Sequence, residues 1–241
     1  MSVIVETFMN VCKVTAKDLC DSIRGNNCQE QAGERMVRKT KEEAQETRNA
    51  ILDAAESVFY RKGVARTTLS DIATEAGVTR GAIYWHFANK GEVFDAMMRR
   101  AIDPLEEISE VDYTTSERPL EELRARVLGV IERIDADPRY IRVFAIAMHK
   151  CEYVDEMVPV VDQCLECCDR HLLRQEQAFA EARDRGDLPD DVDPHRAALS
   201  LSAMIDGLIA GWCLQPDVYS LDLSGSMIDC FLYGLKTGAC R

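Results

Sequence analysis

Between residues 44 and 235 apolar side chains recur at three- and four-residue intervals in a series of separate stretches, the spacing of amphipathic helices. Ala44, Thr47, Ile51, Ala55, Val58 and Phe59 make the first, opened by a capping box at Thr40-Lys41-Glu42-Glu43 and closed by Gly63. Leu69, Ile72, Ala73 and Ala76 make the second, with Thr68 as N-cap, Asp71 in its first turn and Gly77 able to take the left-handed conformation that stops it. Only Val78 then intervenes before Thr79, the N-cap of a third short helix whose Ile83 and Phe87 face inward with Val78. Two short helices joined by a tight glycine turn predict a helix-turn-helix. Asn89 caps a fourth helix, in which Val93, Phe94, Met97 and Ala101 pack inward.

Beyond an acid- and hydroxyl-rich linker at residues 109–116, the same periodicity predicts a helical body. Pro119 starts a helix carrying Leu120, Leu123, Val127, Val130, Ile131 and Ile134, and Pro138 starts another that runs through Phe144 and Met148 to about Cys151. A long helix spans about residues 156–185 and ends at Gly186. Asp193-Pro194 caps the most apolar helix, which continues to Trp212 before Pro216 breaks it, and a last helix at about 223–235 carries Met227, Ile228, Phe231 and Leu232. The expected fold is therefore all-α: a three-helix helix-turn-helix unit followed by a helical bundle. The expected divisions are an extension over residues 1–35, a reading domain over 36–91 and a body over 92–241.

The third helix exposes unusual chemistry. With Ile83 and Phe87 inward, Thr79, Arg80, Gly81, Tyr84, Trp85 and His86 lie on the other faces or at the open N-terminal end. A surface helix with no partner seldom shows so many aromatic and cationic groups beside a first-turn glycine. A major-groove reader has a use for them: Gly81 lets the backbone approach the duplex, Arg80 can chelate guanine, and tyrosine, threonine and histidine can hold phosphates. Thr67 and Thr68 at the start of the second helix and Lys90 at the start of the fourth are placed for phosphate as well.

The run Arg66-Thr67-Thr68-Leu69-Ser70-Asp71-Ile72-Ala73, then Ala76-Gly77-Val78-Thr79-Arg80-Gly81-Ala82-Ile83-Tyr84-Trp85-His86-Phe87 and Asn89-Lys90, resembles the TetR family of dimeric bacterial transcription regulators. With the opening Met36-Val37-Arg38-Lys39-Thr40-Lys41-Glu42-Glu43-Ala44 it is most similar to the AcrR-like branch, which represses multidrug efflux pumps. The resemblance is detailed over residues 36–95 and looser beyond. It implies a repressor that leaves a palindromic double-stranded operator when a small hydrophobic or aromatic compound binds the body. It also implies that the last two helices pair with their copies in a homodimer, and that Val130, Phe144, Met148, Cys167, His171, Ile205 and Asp206 lie near the ligand cavity.

Charge changes the picture only once it is divided. The net charge of −13 is unlike a DNA binder, but residues 36–95 hold 9 Lys and Arg against 9 Asp and Glu, while residues 96–241 hold 16 against 28. A neutral reading unit can still present Arg38, Lys39, Lys41, Arg66, Arg80 and Lys90 to phosphate while an acidic body is held off the duplex. The absence of a signal-peptide pattern, and of any apolar run near membrane-spanning length, leads to the expectation of a cytoplasmic protein without membrane contact. Ten cysteines in such a chain read as reduced thiols. Cys12, Cys20 and Cys28 in the extension match no common zinc spacing, and the extension itself reads as an upstream start, a poorly ordered tail or an irregular helix.

Three further features carry candidate chemistry. Cys164, Cys167, Cys168 and His171 share one helix face, which raises a thiol- or metal-responsive alternative. One straight helix cannot wrap four ligands round one ion, so packing or pocket lining is preferred and neither metal nor cofactor is expected. Asp206 is an acid within the apolar helix, either a ligand handle or a seam residue. Gly207 and Gly211 form a flat stripe where a partner backbone can come close, with Met227 and Phe231 completing the expected dimer interface. His149 and His195 have no companions at catalytic spacing, and no nucleophile, phosphate-loop or paired-acid pattern is present, so no catalytic site is expected.

Overall fold

The computed structural model describes residues 30–152 and 157–238, with side chains from residue 41 onward. Among these residues there is no strand. The helices are α1 (Glu30–Lys62), α2 (Leu69–Glu75), α3 (Arg80–His86), α4 (Lys90–Ser109), α5 (Pro119–Asp135), α6 (Arg139–His149), α7 (Val158–Asp184), α8 (Pro194–Leu214) and α9 (Leu223–Thr237), with a 3-10 turn at Tyr113–Thr115. The tail carrying Cys12, Cys20 and Cys28 lies outside the described residues.

Local chemistry sets most boundaries. Thr68 caps α2 reciprocally with Asp71, as the threonine side chain accepts from the Asp71 amide and the carboxylate accepts from the Thr68 amide. Gly77, at φ +66°, ends the helix, with the Val78 amide donating to Ala73 O and the Gly77 amide to Thr74 O. The hydroxyl of Thr79 caps α3 on Ala82, and Asn89 caps α4 on Glu92. One boundary corrects the sequence reading. The first helix begins at Glu30 and not at Thr40, because residues 31–39 contain no proline and are mostly good helix formers, so Thr40 is passed through. Residues 30–35 of the expected extension are therefore helical.

One of the three apolar clusters joins the reading unit to the body, and a second takes in the far half of α4. The first gathers Ile51, Leu52, Ala55 and Phe59 of α1, Ile72 and Ala73 of α2, Ile83 of α3, and Val93, Phe94 and Met97 of α4. Each large side chain so enclosed contributes roughly 1.5–3 kcal/mol. The same cluster takes in Val143, Ile146 and Ala147 of α6 and Val160 of α7. The farther half of α4 enters another cluster through Leu105, which packs with Ile131 and Ile134 of α5, Tyr140, and Leu208 and Ile209 of α8. The expected division after residue 91 thus falls in the first turn of a helix that serves both parts. Pro104 lies inside α4 and has no amide to donate, which leaves a point where this helix can bend.

Polar bonds reinforce the junction. Glu56 of α1, only 4% exposed, accepts from Arg142 Nε of α6 at 2.6 Å and lies 3.5 Å from Arg100 Nη2 of α4. Lys150, at the end of α6, donates to Tyr60 O at 2.8 Å and accepts from the Val64 amide through its own carbonyl at 2.9 Å. Packed side chains and an ion pair with one buried partner, Glu56, therefore link α4 and α6 to α1.

Candidate nucleic-acid interface and the cleft behind it

Helix α3 turns Ile83 fully inward and leaves its outer face in water. Tyr84 is 54% exposed and Trp85 73%, in contrast to the near-complete burial of Ile83 and Phe87. Thr79, Arg80 and Gly81 are exposed at the helix start, and among the described residues no ion pair holds the Arg80 guanidinium. A Cβ built on Gly81 meets nothing nearer than Thr79 Oγ1 at 3.9 Å. Within the described residues, therefore, packing does not require glycine at this position.

The neighbouring groups differ in what they offer. His86 packs edge-on against Trp85 at 4.5 Å between ring centroids. Burial, with Arg48 nearby, holds its pKa below the ordinary imidazole value, which favours the neutral ring. Thr68 is exposed, whereas Thr67 is buried and its hydroxyl donates to Gly63 O at 2.7 Å. The expected phosphate contact of the Thr67 side chain is therefore corrected: the tight turn after Gly63 uses that hydroxyl to satisfy its own carbonyl. Lys90 is half-buried and reaches Ala65 O at 3.3 Å, beside the entry to α2.

Asp71 is held down to about 2, by Lys62 first and then by the Thr68 amide and hydroxyl. Arg61 holds Glu75. Two acids of the reading unit are thereby matched by cations at the end of α1. The sequence reading missed Arg48, whose guanidinium lies 5.1 Å from the Phe87 ring centroid and beside His86. Its distance along the chain from α3 left no local pattern to reveal it.

Behind the reader, α4 and α7 enclose a cleft of about 190 Å³, walled by Met98, Ile102, Asp103 and Glu106 on one side and Cys164, Glu166, Cys167 and Arg170 on the other. Glu106 accepts from Arg170 at 2.6 Å and from the Cys167 thiol at 3.1 Å. Burial works against the Glu106 charge, yet these two bonds outweigh it and hold the carboxyl below its ordinary range. Burial, aided by Glu106, pushes the Cys167 thiol up to about 12, so it is a poor spontaneous nucleophile.

Of the seven expected ligand residues, only Cys167 lines this cleft among the described residues. His171 stands one turn along α7, with its ring nitrogen near Glu106 and Cys167. Val130, Phe144, Met148 and Ile205 gather instead round the apolar cluster shared by α4, α5, α6 and α8, where each is partly buried. Phe144 stacks on Tyr140 there, 6.1 Å between centroids. Asp206 reaches solvent with part of its surface, but the surrounding protein atoms bury most of the carboxyl's environment and push it up to about 6. The seven residues do not converge on one cavity, because the apolar faces of α5 and α6 are used in packing against α8.

The last two helices leave an apolar face uncovered. Leu214, Val218, Tyr219, Leu223 and Tyr233 are exposed along the end of α8, the following turn and α9. Helix α8 corrects the expectation that no apolar run reaches spanning length, as it has 21 residues, a mean hydropathy of 1.6 and only 28% of that stretch buried. Its position mid-body, packed on α6, α7 and α9, is that of a bundle helix lacking cover on one side. The two glycines of the expected stripe differ in their surroundings within the protomer. Gly207 is open, with nothing within 4 Å of a built Cβ, but at Gly211 such an atom would lie 2.5 Å from Tyr219 Cδ1. The Tyr219 ring covers Gly211, so that glycine serves a contact inside the protomer. Phe231 is edge-on to Phe179 and Met227 packs on an inner cluster, so both direct much of their surface inward and Leu223 and Tyr233 occupy the outer face.

Residues 51–97 match the family described as bacterial regulatory proteins, tetR family, and residues 118–236 match the C-terminal region of MAATS-type transcriptional repressors. The HTH-type transcriptional regulator TtgR of Pseudomonas putida is 45% identical over 197 residues, which is 80% of this chain and 91% of TtgR. The HTH-type transcriptional repressor BepR of Brucella suis is 39% identical over 193 residues, 80% of this chain and 92% of BepR. Among solved structures, NalD of Pseudomonas aeruginosa, the secondary repressor of the MexAB-OprM multidrug efflux pump, superimposes with a TM-score of 0.73 at 33% identity over 81% of this chain and 98% of its own. SmeT in complex with triclosan does so with a TM-score of 0.66 at 34% identity, over 81% and 94%. Helix order, reading helix and sequence agree, and the chain belongs to the TetR family of bacterial transcriptional regulators, which bind DNA and are not enzymes.

Proposed function

We propose that the protein is a dimeric repressor of a multidrug efflux operon that leaves a palindromic operator when a small hydrophobic or aromatic compound enters its body. The observation that carries this reading is the mechanical one: the helix that begins at the reader, α4, also forms one wall of the cleft and carries Pro104 within it. At about 190 Å³ the cleft is smaller than the roughly 300–1,000 Å³ of small-molecule sites, so a drug-sized ligand requires α4 and α7 to part. Two half-sites lie about 34 Å apart on one duplex face, and a pivot of α4 in each protomer misplaces both reading helices together. The efflux pump in the description of NalD and the triclosan in that of SmeT support the same class of operon and of effector.

In this reading residues 36–91 read DNA, with Thr68, Thr79, Arg80, Gly81, Tyr84, Trp85, His86 and Lys90 toward the duplex. Residues 92–241 hold the effector, in the cleft that Cys167 lines with His171 one turn away, and supply the seam between protomers through the uncovered face of α8 and α9. A repressor so built works in the cytoplasm, beside its operator. The ligand must prefer the released state, and moving the population from 99:1 to 1:99 takes about 10⁴-fold preference.

The test is a gel shift of full-length protein on DNA flanking its own gene, titrated with triclosan and other apolar aromatics, and separately with peroxide. Release by aromatics with the complex intact in peroxide is the expected result. Release by peroxide alone would replace the drug reading with a thiol-responsive one. Sedimentation of Tyr233→Glu, expected to shift the protein toward monomer, tests the seam.

A further inference from the structure

We infer that Glu106, Cys167 and His171 form a binding site for a zinc-class divalent cation that bridges α4 to α7. Cys167 and His171 are four residues apart on α7 and so project from one face of it, while Glu106 comes from α4 across the cleft. One ligand atom from each lies within 4.8 Å of the other two, and the Cys167 sulfur is already 3.1 Å from Glu106 Oε1. Tetrahedral bonding to sulfur, nitrogen and oxygen at about 2.0–2.3 Å places such atoms roughly 3.5 Å apart, so closure needs only about 1 Å of side-chain movement. Thiolate, imidazole and carboxylate together form a donor set suited to zinc and its neighbours, in contrast to the all-oxygen sites of magnesium and calcium.

The second helix removes the objection that a single helix cannot surround an ion. Three protein ligands leave a fourth position that can take water, and two of the three, Glu106 and Cys167, line the cleft. On binding, the Cys167 sulfur exchanges its proton for the metal and the proton passes to solvent. Two cations flank the site: Arg174 acts on His171, and Arg170, which pairs with Glu106, is about half exposed and has Glu166 four residues before it on the same helix, so its guanidinium can turn from Glu106 to Glu166 as the metal arrives. Asp103 and Glu166 in the cleft wall add negative charge that favours a cation. The site also has leverage: Glu106 lies sixteen residues beyond Lys90, about 24 Å along α4 at 1.5 Å per residue, so a bound ion fixes the far end of the helix that carries the reader.

The test uses reduced, chelator-treated full-length protein and Co²⁺ as a spectroscopic probe, displaced afterwards by Zn²⁺. A thiolate-to-cobalt charge-transfer band with tetrahedral visible absorption is expected. Cys167→Ser should abolish the band, and Cys167→Ser, His171→Gln and Glu106→Gln should each weaken Zn²⁺ by at least about 100-fold, since loss of an outer-shell partner alone costs 10–100-fold. Cys168→Ser, on the same helix but outside the donor set, should keep full binding, which discounts the other thiols of the chain. Thermal melts identify a variant that has failed to fold, in which case the remaining two decide. A full band in folded Cys167→Ser, or equal losses in Cys168→Ser, overturns the site. Because the readout is spectroscopic, it stands or falls separately from release by drugs.

Discussion

Gly81→Ala separates folding from DNA reading in one substitution. Gly81 is the second residue of α3, and an added methyl meets nothing closer than 3.9 Å in the free protein. Alanine is the better helix former by about 0.5–1 kcal/mol, so the variant should be no less stable and should melt roughly 1–4 °C higher. On the duplex the same methyl occupies the space that lets the backbone approach a phosphate or base edge. Displacing the start of α3 by about the length of a methyl, or losing the contact, should cost at least about 1.4 kcal/mol, which is tenfold in affinity. Melting followed by circular dichroism, paired with operator titrations at one fixed salt concentration, gives both numbers from one preparation. A variant that melts higher and binds operator as tightly as the parent would refute the claim that this glycine exists for the duplex.

Arg80→Ala should cost about 1–3 kcal/mol and relax preference at one base position, whereas Lys90→Ala should weaken all sequences alike and lower the salt slope by about one; equal loss on specific and random DNA for Arg80→Ala would remove it as a base reader. Glu56→Gln takes the buried charge from between Arg142 and Arg100. Breaking an enclosed pair costs about 3–5 kcal/mol, but Arg142 is 42% exposed and can hydrate, so about 2 kcal/mol and a melting point about 4–8 °C lower are expected, and an unchanged melt would show that the pair contributes nothing to the junction. Asp206 holds its proton to about 6 when folded against 3.8 as the ordinary value, so the folded state binds the extra proton between those values and stability falls as pH rises through them. Asp206→Asn should flatten that window while leaving operator affinity and the dimer intact and altering release by aromatics; loss of the dimer with release unaltered would make Asp206 a seam residue.

Much of the architecture follows from short-range chemistry written in the chain. Thr68 with Asp71, Gly77, Thr79 and Asn89 each act on groups within a few residues, so the helix starts and stops of the reader were legible before any packing was considered. The inward turn of Ile83 and Phe87, and with it the exposure of Tyr84 and Trp85, needed only helical periodicity. Even there, local rules misplaced what depends on continuation. Thr40 has the makings of a cap, but a cap forms only where the backbone leaves the helix, and nothing upstream makes it do so.

Tertiary structure alone decided which distant residues meet. Glu56 with Arg142, Glu106 with Cys167 and His171, and Arg48 beside His86 join positions on different helices, and no periodicity records such a pairing. The same holds for faces. The composition of α8 and α9 announced a large apolar surface, but whether Gly211 met a partner or the Tyr219 ring depended on how the turn after Leu214 folds back. Helix periodicity therefore determined which surfaces had to be buried, because that is settled one turn at a time. What buries them, and which charges become neighbours in doing so, was left to the packing of whole helices, where a side chain's partner is set by the geometry of another element and not by its own place in the chain.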